Sequence, residues 1–175
     1  MGGPITFNIR EYVSQDLKQV QAIFASGLIE FAGENAQGVR RYVARALKDD
    51  MADIPSHYQA HPRGNFWVAE CSGALLGHVG IQPTVEEDEA ELRRMSVSST
   101  VRGQGIGRRL LEKTEDFCRS RGYNRIILST ADFLKPALAM YQNNGYTLVK
   151  IVPYGAPPND QVNIHHLVKD LYPIN

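Results

Sequence analysis

Cysteine is scarce in this chain. Cys71 and Cys118 are the two present, and no CxxC spacing joins them, so the sequence encodes neither a disulfide framework nor a thiolate metal site. Such usage fits reduced thiols in a cytoplasmic protein. An excess of one charge is also missing: nineteen basic side chains balance nineteen acidic ones, and a nucleic-acid partner gains no support from bulk electrostatics. Five histidines show no metal-ligand spacing, because His57 and His61 stand in a proline-bounded loop and His165 and His166 are adjacent; no metal is expected. The longest apolar stretch, AIFASGLIEFAG, is too short and too interrupted to cross a membrane. The start, MGGPITF, lacks the basic and apolar regions of a signal peptide, although it fits the MGxxxT myristoylation pattern as well as a loose glycine-rich end. A GxxxxGK[ST] phosphate loop is absent, and Arg108 stands where a dinucleotide fingerprint starting at Gly103 needs its third glycine.

What is present is enough for one core. With 175 residues and 43% hydrophobic content, the chain reads as a single domain over residues 1–175. Its most informative stretch is ELRRMSVSSTVRGQGIG, Glu91 to Gly107, a strand running through a glycine-rich bend into a helix. Gly103, Gly105 and Gly107 alternate behind Arg102, a composition that lets successive main-chain N–H groups face one hollow. Apolar side chains at Ile106, Leu110, Leu111, Thr114, Phe117 and Cys118 repeat at helical spacing until Gly122, so the positive end of a helix opens on that hollow. Phosphate oxygens are the expected occupants.

Around this stretch the chain alternates strands and helices. Ile5 to Arg10 reads as a strand; Ser14 caps a helix that buries Leu17, Val20, Ile23, Phe24 and Leu28; a second helix runs from about Ala36 to Asp50 with Val39, Tyr42, Val43, Ala46 and Leu47 inward. Phe66 to Glu70 and Leu75 to Ile81 form a hairpin over the SGA turn. Glu86 to Glu89 is a solvated acidic loop that also has the charge to draw a cationic amine. On the strand Glu91 to Val97, strict alternation sets Glu91, Arg93, Met95 and Val97 on one face and Leu92, Arg94 and Ser96 on the other. Arg125 to Thr130 reads as a buried strand, and Pro136 opens a helix carrying Ala137, Met140 and Tyr141 that Gly145 stops. Strands at Tyr146 to Val152 and Val162 to Val168 come next, joined by the proline-bearing loop YGAPPNDQ, a candidate substrate contact.

The bend VRGQGIG resembles the RxxGxG signature of the GNAT acetyltransferase superfamily, with Arg102, Gly105 and Gly107 in its fixed positions. LRRMSV is similar to the family's fourth strand, and ALAMYQNNGY, Ala137 to Tyr146, to its closing AxxLYxxxGF segment, with Met140 for leucine and Tyr146 for phenylalanine. The resemblance covers about Glu89 to Val149. It implies an α/β fold with a central, mostly antiparallel twisted sheet, one splayed parallel strand pair and about four flanking helices. It also implies an acyl-CoA-dependent N-acetyltransferase using acetyl-CoA and no metal. Main-chain groups of Met95, Ser96 and Val97 would hold the pantetheine arm. Arg102, Gly103, Gln104, Gly105, Ile106, Gly107 and Arg108 would hold the pyrophosphate, with Arg109 also near it. Pro136, Ala137, Met140 and Tyr141 would line the same cofactor. The asparagine many members carry before the last helix is missing, which leaves Asp132 or a backbone group in its place.

For the chemistry, the resemblance implies Tyr141 as the acid for the departing sulfur, the alternative being a core tyrosine beside Tyr146. Glu91 matches a family base, the alternative being a carboxylate paired to Arg93 or Arg94. The two N-terminal helices and their loop would wall the acceptor site, with Glu30, Phe31, Glu34 and Tyr58 as contributors. Phe31, Glu91, Arg93 and Thr130 are the substrate-binding candidates, and ELRRMSV with RGQGIG and LST is similar to the branch that acetylates cysteine conjugates and amino acids, where Arg93 would hold a carboxylate. The expected partner is a small-molecule or peptide amine, with neither nucleic acid nor membrane; a homodimer stays open. Transfer would be direct, with neither cysteine as nucleophile. A non-catalytic acyl-CoA sensor and a nucleotide-binding module are the competing readings.

Overall fold

A computed structural model describes residues 5–155 and 161–172. Residues 1–4 of the MGxxxT start and most of YGAPPNDQ lie outside the described residues. Seven strands form one sheet: β1 (Asn8–Glu11), β2 (Asn65–Cys71), β3 (Ala74–Pro83), β4 (Glu89–Val97), β5 (Arg125–Ala131), β6 (Thr147–Tyr154) and β7 (Val162–Asp170), in the order β1-β2-β3-β4-β5-β7-β6. Neighbours are antiparallel except β4 and β5. Helices α1 (Leu17–Ile29), α2 (Ala36–Ala46), α3 (Ile106–Ser120) and α4 (Lys135–Asn143) flank it, which is the arrangement the family resemblance implies. No helix among the described residues is long and apolar enough to cross a membrane.

Both faces of the sheet are covered over its first strands, and each carries a core. On one face, Trp67, Val79, Ile81 and Leu92 pack with Leu110 and Leu111 of α3 and Tyr141 of α4. On the other, Phe66 and Val68 pack with Val20 and Phe24 of α1 and Val39 and Val43 of α2. The β2–β3 hairpin turns on Ser72 and Gly73, whose φ values of 50° and 84° suit the right-handed twist of the strands they join. At the far edge β6 is exposed along its whole length, Leu148, Val149, Ile151 and Val152 included.

Several local expectations need correction. Ser14 is not a cap: it begins a short 3-10 turn, and the carboxylate of Asp16 accepts from the Val13 N–H at 3.0 Å while taking both nitrogens of Arg10 at 2.8 and 2.9 Å. The second helix stops at Ala46, and Tyr42 is exposed rather than inward. Glu89 belongs to β4 instead of a solvated loop, because Arg125 pairs with it at 2.8 Å.

The largest departure is in β4, where strict alternation fails. His78 pairs with Ser96 but Gly80 pairs with Arg93, so Arg94 and Met95 together oppose Val79, and Arg94 has φ of 56°. Such a bulge inserts a residue and inverts the facing of the positions beyond it. Met95 and Val97 therefore turn to the α3 core with Leu92, whereas Arg94 joins the α1–α2 side. There its guanidinium holds Asp50 with two bonds of 2.8 and 2.7 Å and Tyr42 Oη at 2.6 Å, and Tyr58 donates to the same carboxylate. The Arg94 and Asp50 side chains are 7% and 2% exposed. Burial alone would raise the Asp50 pKa, but the hydrogen bonds from Arg94 and Tyr58 more than reverse this and hold it below the usual carboxylate value.

Removing one member strands the other charge in the core, so Asp50→Ala should cost about 3–5 kcal/mol of unfolding free energy by urea titration. Because the folded pKa is the lower one, the stability difference between wild type and Asp50→Asn should be complete above the unfolded value of about 3.9 and shrink as pH falls through the folded value. A pH-independent difference would remove the ionic explanation.

Candidate active site

The parallel ladder between β4 and β5 covers only Glu89 to Glu91 against Arg125 to Ile127. Beyond Glu91 the strands part, and the β5-facing edge of Met95–Val97 has no strand partner among the described residues. Two cavities flank this parting, of about 360 Å³ and about 400 Å³. They share Leu28, Met95, Ser96, Leu134 and Ala137 as lining.

The glycine bend borders the first cavity. Gly103 and Gly105 have φ of 76° and 79°, and Gly105 is the residue from which α3 starts. At Gly107 the reason for glycine is space: a Cβ would lie 2.5 Å from Met140 Sδ. Among the described residues nothing accepts a hydrogen bond from the main-chain N–H groups of Gly103 to Arg108; the first of this turn to be satisfied is Arg109, which donates to Gly105 O at 3.1 Å. Free donors at a helix N-terminus make a seat for an anion. Of the residues expected here, Met95, Ser96, Val97, Arg102, Gly103, Gly105, Ile106, Gly107, Arg108, Pro136, Ala137 and Met140 line the cavity. Gln104 does not, and its side chain instead accepts from Ile5 N at 3.2 Å. The Arg102 guanidinium is paired with Glu30 and lies over the Phe31 ring, 4.8 Å from its centroid. Phe31 thus borders the first cavity and not the second.

The second cavity gathers Glu91, Arg93, Thr130 and Tyr141. Neither alternative for Glu91 is realised: Arg93 bonds Gln82 Oε1 at 2.9 Å, Arg94 takes Asp50, and the Glu91 carboxylate has no ion pair with a described residue. Tyr141 is nearly buried, edge-on to Tyr146 with centroids 5.8 Å apart, and its hydroxyl makes no hydrogen bond to a described residue. Burial raises its pKa, so the phenol is protonated at neutral pH.

Other candidates lie elsewhere. Tyr58 is buried against Asp50, and Glu34 is exposed; neither lines a cavity. Asp132 bonds Asn163 at 3.1 Å and also lines neither cavity, so Leu134 is what the chain presents ahead of α4. Cys118 is buried in the α3 core, which pushes its thiol up to about 12. Sequence reasoning passed over Leu28, Leu134 and Ser129 as cavity residues; Leu28 had a helical-face signal and Ser129 stood in the LST run, but neither carries a chemical signature of its own.

Comparison with known proteins agrees with this geometry. The acetyltransferase (GNAT) family model matches residues 33–146. A probable N-acetyltransferase camello from Xenopus tropicalis is 38% identical over 113 residues, covering 63% of this chain and 52% of its own. An N-acetylaspartate synthetase from the same organism is 33% identical over 144 residues, covering 77% and 52%. The chain thus spans about half the length of the curated relatives it matches. PaiA N-acetyltransferase from Thermoplasma acidophilum, solved with coenzyme A, superposes with a TM-score of 0.75 at 15% identity over 95% of this chain and 99% of its own, and so shares the fold. Since the family match runs unbroken through the bulged strand, the glycine bend and the helix that ends before β6, this chain belongs to the GNAT acetyltransferase family.

Proposed function

We propose that the chain is an N-acetyltransferase that moves an acetyl group from acetyl-CoA to the primary amine of a small molecule, amino acid or peptide, by direct attack in a ternary complex. The observation that carries this reading is the set of N–H groups from Gly103 to Arg108 with no acceptor among the described residues, opening on a cavity that shares a wall with one bearing Glu91, Arg93 and Tyr141. These N–H groups suit a pyrophosphate, with the Arg108 side chain at the rim. The unpaired edge of Met95–Val97 suits a pantetheine arm read like an added strand. The relative from Thermoplasma acidophilum, solved with coenzyme A, supports the same choice of carrier.

An amine with pKa ~10.4 costs about 4.6 kcal/mol to deprotonate at pH 7. Glu91, facing the acceptor cavity with no salt-bridge partner among the described residues, is the base for that proton, directly or through water. A main-chain N–H near Val97 is the donor for the developing oxyanion. Tyr141 Oη, held protonated by burial, supplies the proton to the departing sulfur. Arg93 spends one nitrogen on Gln82 and keeps further donors toward the cavity, which favours an acceptor bearing a carboxylate. The likeness to a protein named N-acetylaspartate synthetase supports that preference.

A thiol-release assay with acetyl-CoA against amino acids, cysteine conjugates, polyamines and peptides tests the reading; no release with any amine defeats it. In thermal melts, CoA at a hundredfold its dissociation constant should add about 2.7 kcal/mol of stability, and Gly105→Val, strained at positive φ, should lose most of that gain. Tyr141→Phe should slow turnover while acetyl-CoA affinity stays near wild type; unchanged turnover would take away the acid role. Glu91→Gln should slow the reaction most at low pH, the deficit narrowing as pH rises toward the amine's own pKa, and a uniform deficit would argue against a base.

A further inference from the structure

Beside the acceptor cavity, β5 and β7 carry a hydroxyl and an imidazole to which the acetyl transfer has so far assigned no part. Ser129 lines the cavity, and its Oγ lies 2.9 Å from Nδ1 of His166, its register partner on β7. His166 does not itself line the cavity and is half-buried. Two charged groups bear on the ring: Lys150, its register partner on β6, disfavours an imidazolium, and Glu91 on β4 favours one. Burial acts most strongly and, with Lys150, lowers the imidazole pKa below its ordinary value, so the ring is neutral near pH 7 and able to accept a proton.

We propose that Ser129 and His166 form a proton relay serving the acceptor cavity, a role that rests on the acetyltransferase reading. Between ammonium and amide the acceptor nitrogen sheds two protons, while only one is needed by the CoA sulfur. Glu91 takes the first, before attack. The relay takes the second: as the nitrogen's N–H bond breaks, its proton passes to Ser129 Oγ, and the Oγ proton passes to His166 Nδ1. No electrons change hands, the hydroxyl is regenerated, and the positive charge moves from the acceptor nitrogen to the ring. After product leaves, the proton held by Glu91 passes through water to restore the Tyr141 hydroxyl that protonated the sulfur, the imidazolium gives its Nδ1 proton back through Ser129 to water, and the ring returns to its Nε2–H form with Nδ1 accepting. Ser129 is the residue that touches substrate; His166 acts through it as a positioning and proton-holding residue.

The test pairs kinetics with direct observation of the ring. Thiol release from acetyl-CoA, with aspartate and S-benzylcysteine as amine probes, is followed from about pH 5 to about pH 9 in wild type, Ser129→Ala, His166→Asn and the double variant. His166→Asn keeps an acceptor near the Nδ1 position but cannot hold the proton, and Ser129 is exposed enough for alanine to fold normally. In kcat the wild type should show an acid limb below the ordinary histidine value of about 6.5, and each single variant should lose that limb and fall on the order of a hundredfold. The double variant should be no slower than either, as expected for groups acting in series. A limb that survives in His166→Asn, or losses that add, overturns the relay. Nitrogen-15 NMR of the free protein should report the Nε2–H tautomer of His166; an active wild type with an Nδ1–H ring overturns the relay alone. A wild type that acetylates neither probe overturns the acetyltransferase reading on these acceptors, and the relay's role with it.

Discussion

The buried pair of Arg94 and Asp50 determines how the middle of the sheet is used. A positive φ at a non-glycine residue and a charge removed from water are each unfavourable, and they occur here at one position. They are offset by a guanidinium that satisfies both carboxylate oxygens and a tyrosine hydroxyl at once. Because Asp50 comes after α2 and Arg94 sits in β4, the pair ties the end of the helical segment to the strand whose next two residues, Met95 and Ser96, border both cavities. The bulge then inverts the facing of Met95 and Val97, so that their side chains fill the α3 core while the strand diverges from β5.

Much of this fold was legible in the chain because it is written in local chemistry. Alternating glycines after Arg102, helical spacing from Ile106 to Cys118, and a proline opening the last helix each have a local physical cause, and α3 and α4 lie where those signals put them. Where the expectation failed, the cause was tertiary. Period-two reading of ELRRMSV assumes an unbroken pleat, and nothing in RRM announces that the second arginine will leave it to reach an aspartate 44 residues away. Tyr42 looked inward by helical spacing, yet its hydroxyl is drawn to that same arginine. Asp16 rather than Ser14 caps the first turn because Arg10 on the neighbouring strand fixes its carboxylate.

The candidate site divides in the same way. The bend could be identified from composition, since glycine adopts those dihedrals without steric cost and leaves room for Met140. Glu91 and Arg93 were legible as charged residues on a core strand, but their freedom was not: that Arg93 bonds Gln82 and leaves Glu91 without an ion pair among the described residues depends on the register of β3 against β4. Ser129 and His166 are 37 positions apart in sequence and meet only because β5 and β7 run antiparallel with those two residues opposed.

Leu28, Met95, Ser96, Leu134 and Ala137 belong to both chambers, so one set of side chains is the partition between them. In the proposed reaction a donor with a longer fatty tail would press on this partition from one side, and a bulkier recipient from the other. Under that reading, selectivity for the length of the transferred group and tolerance for the bulk of its recipient both depend on this one partition, and trimming it for one relaxes discrimination in the other.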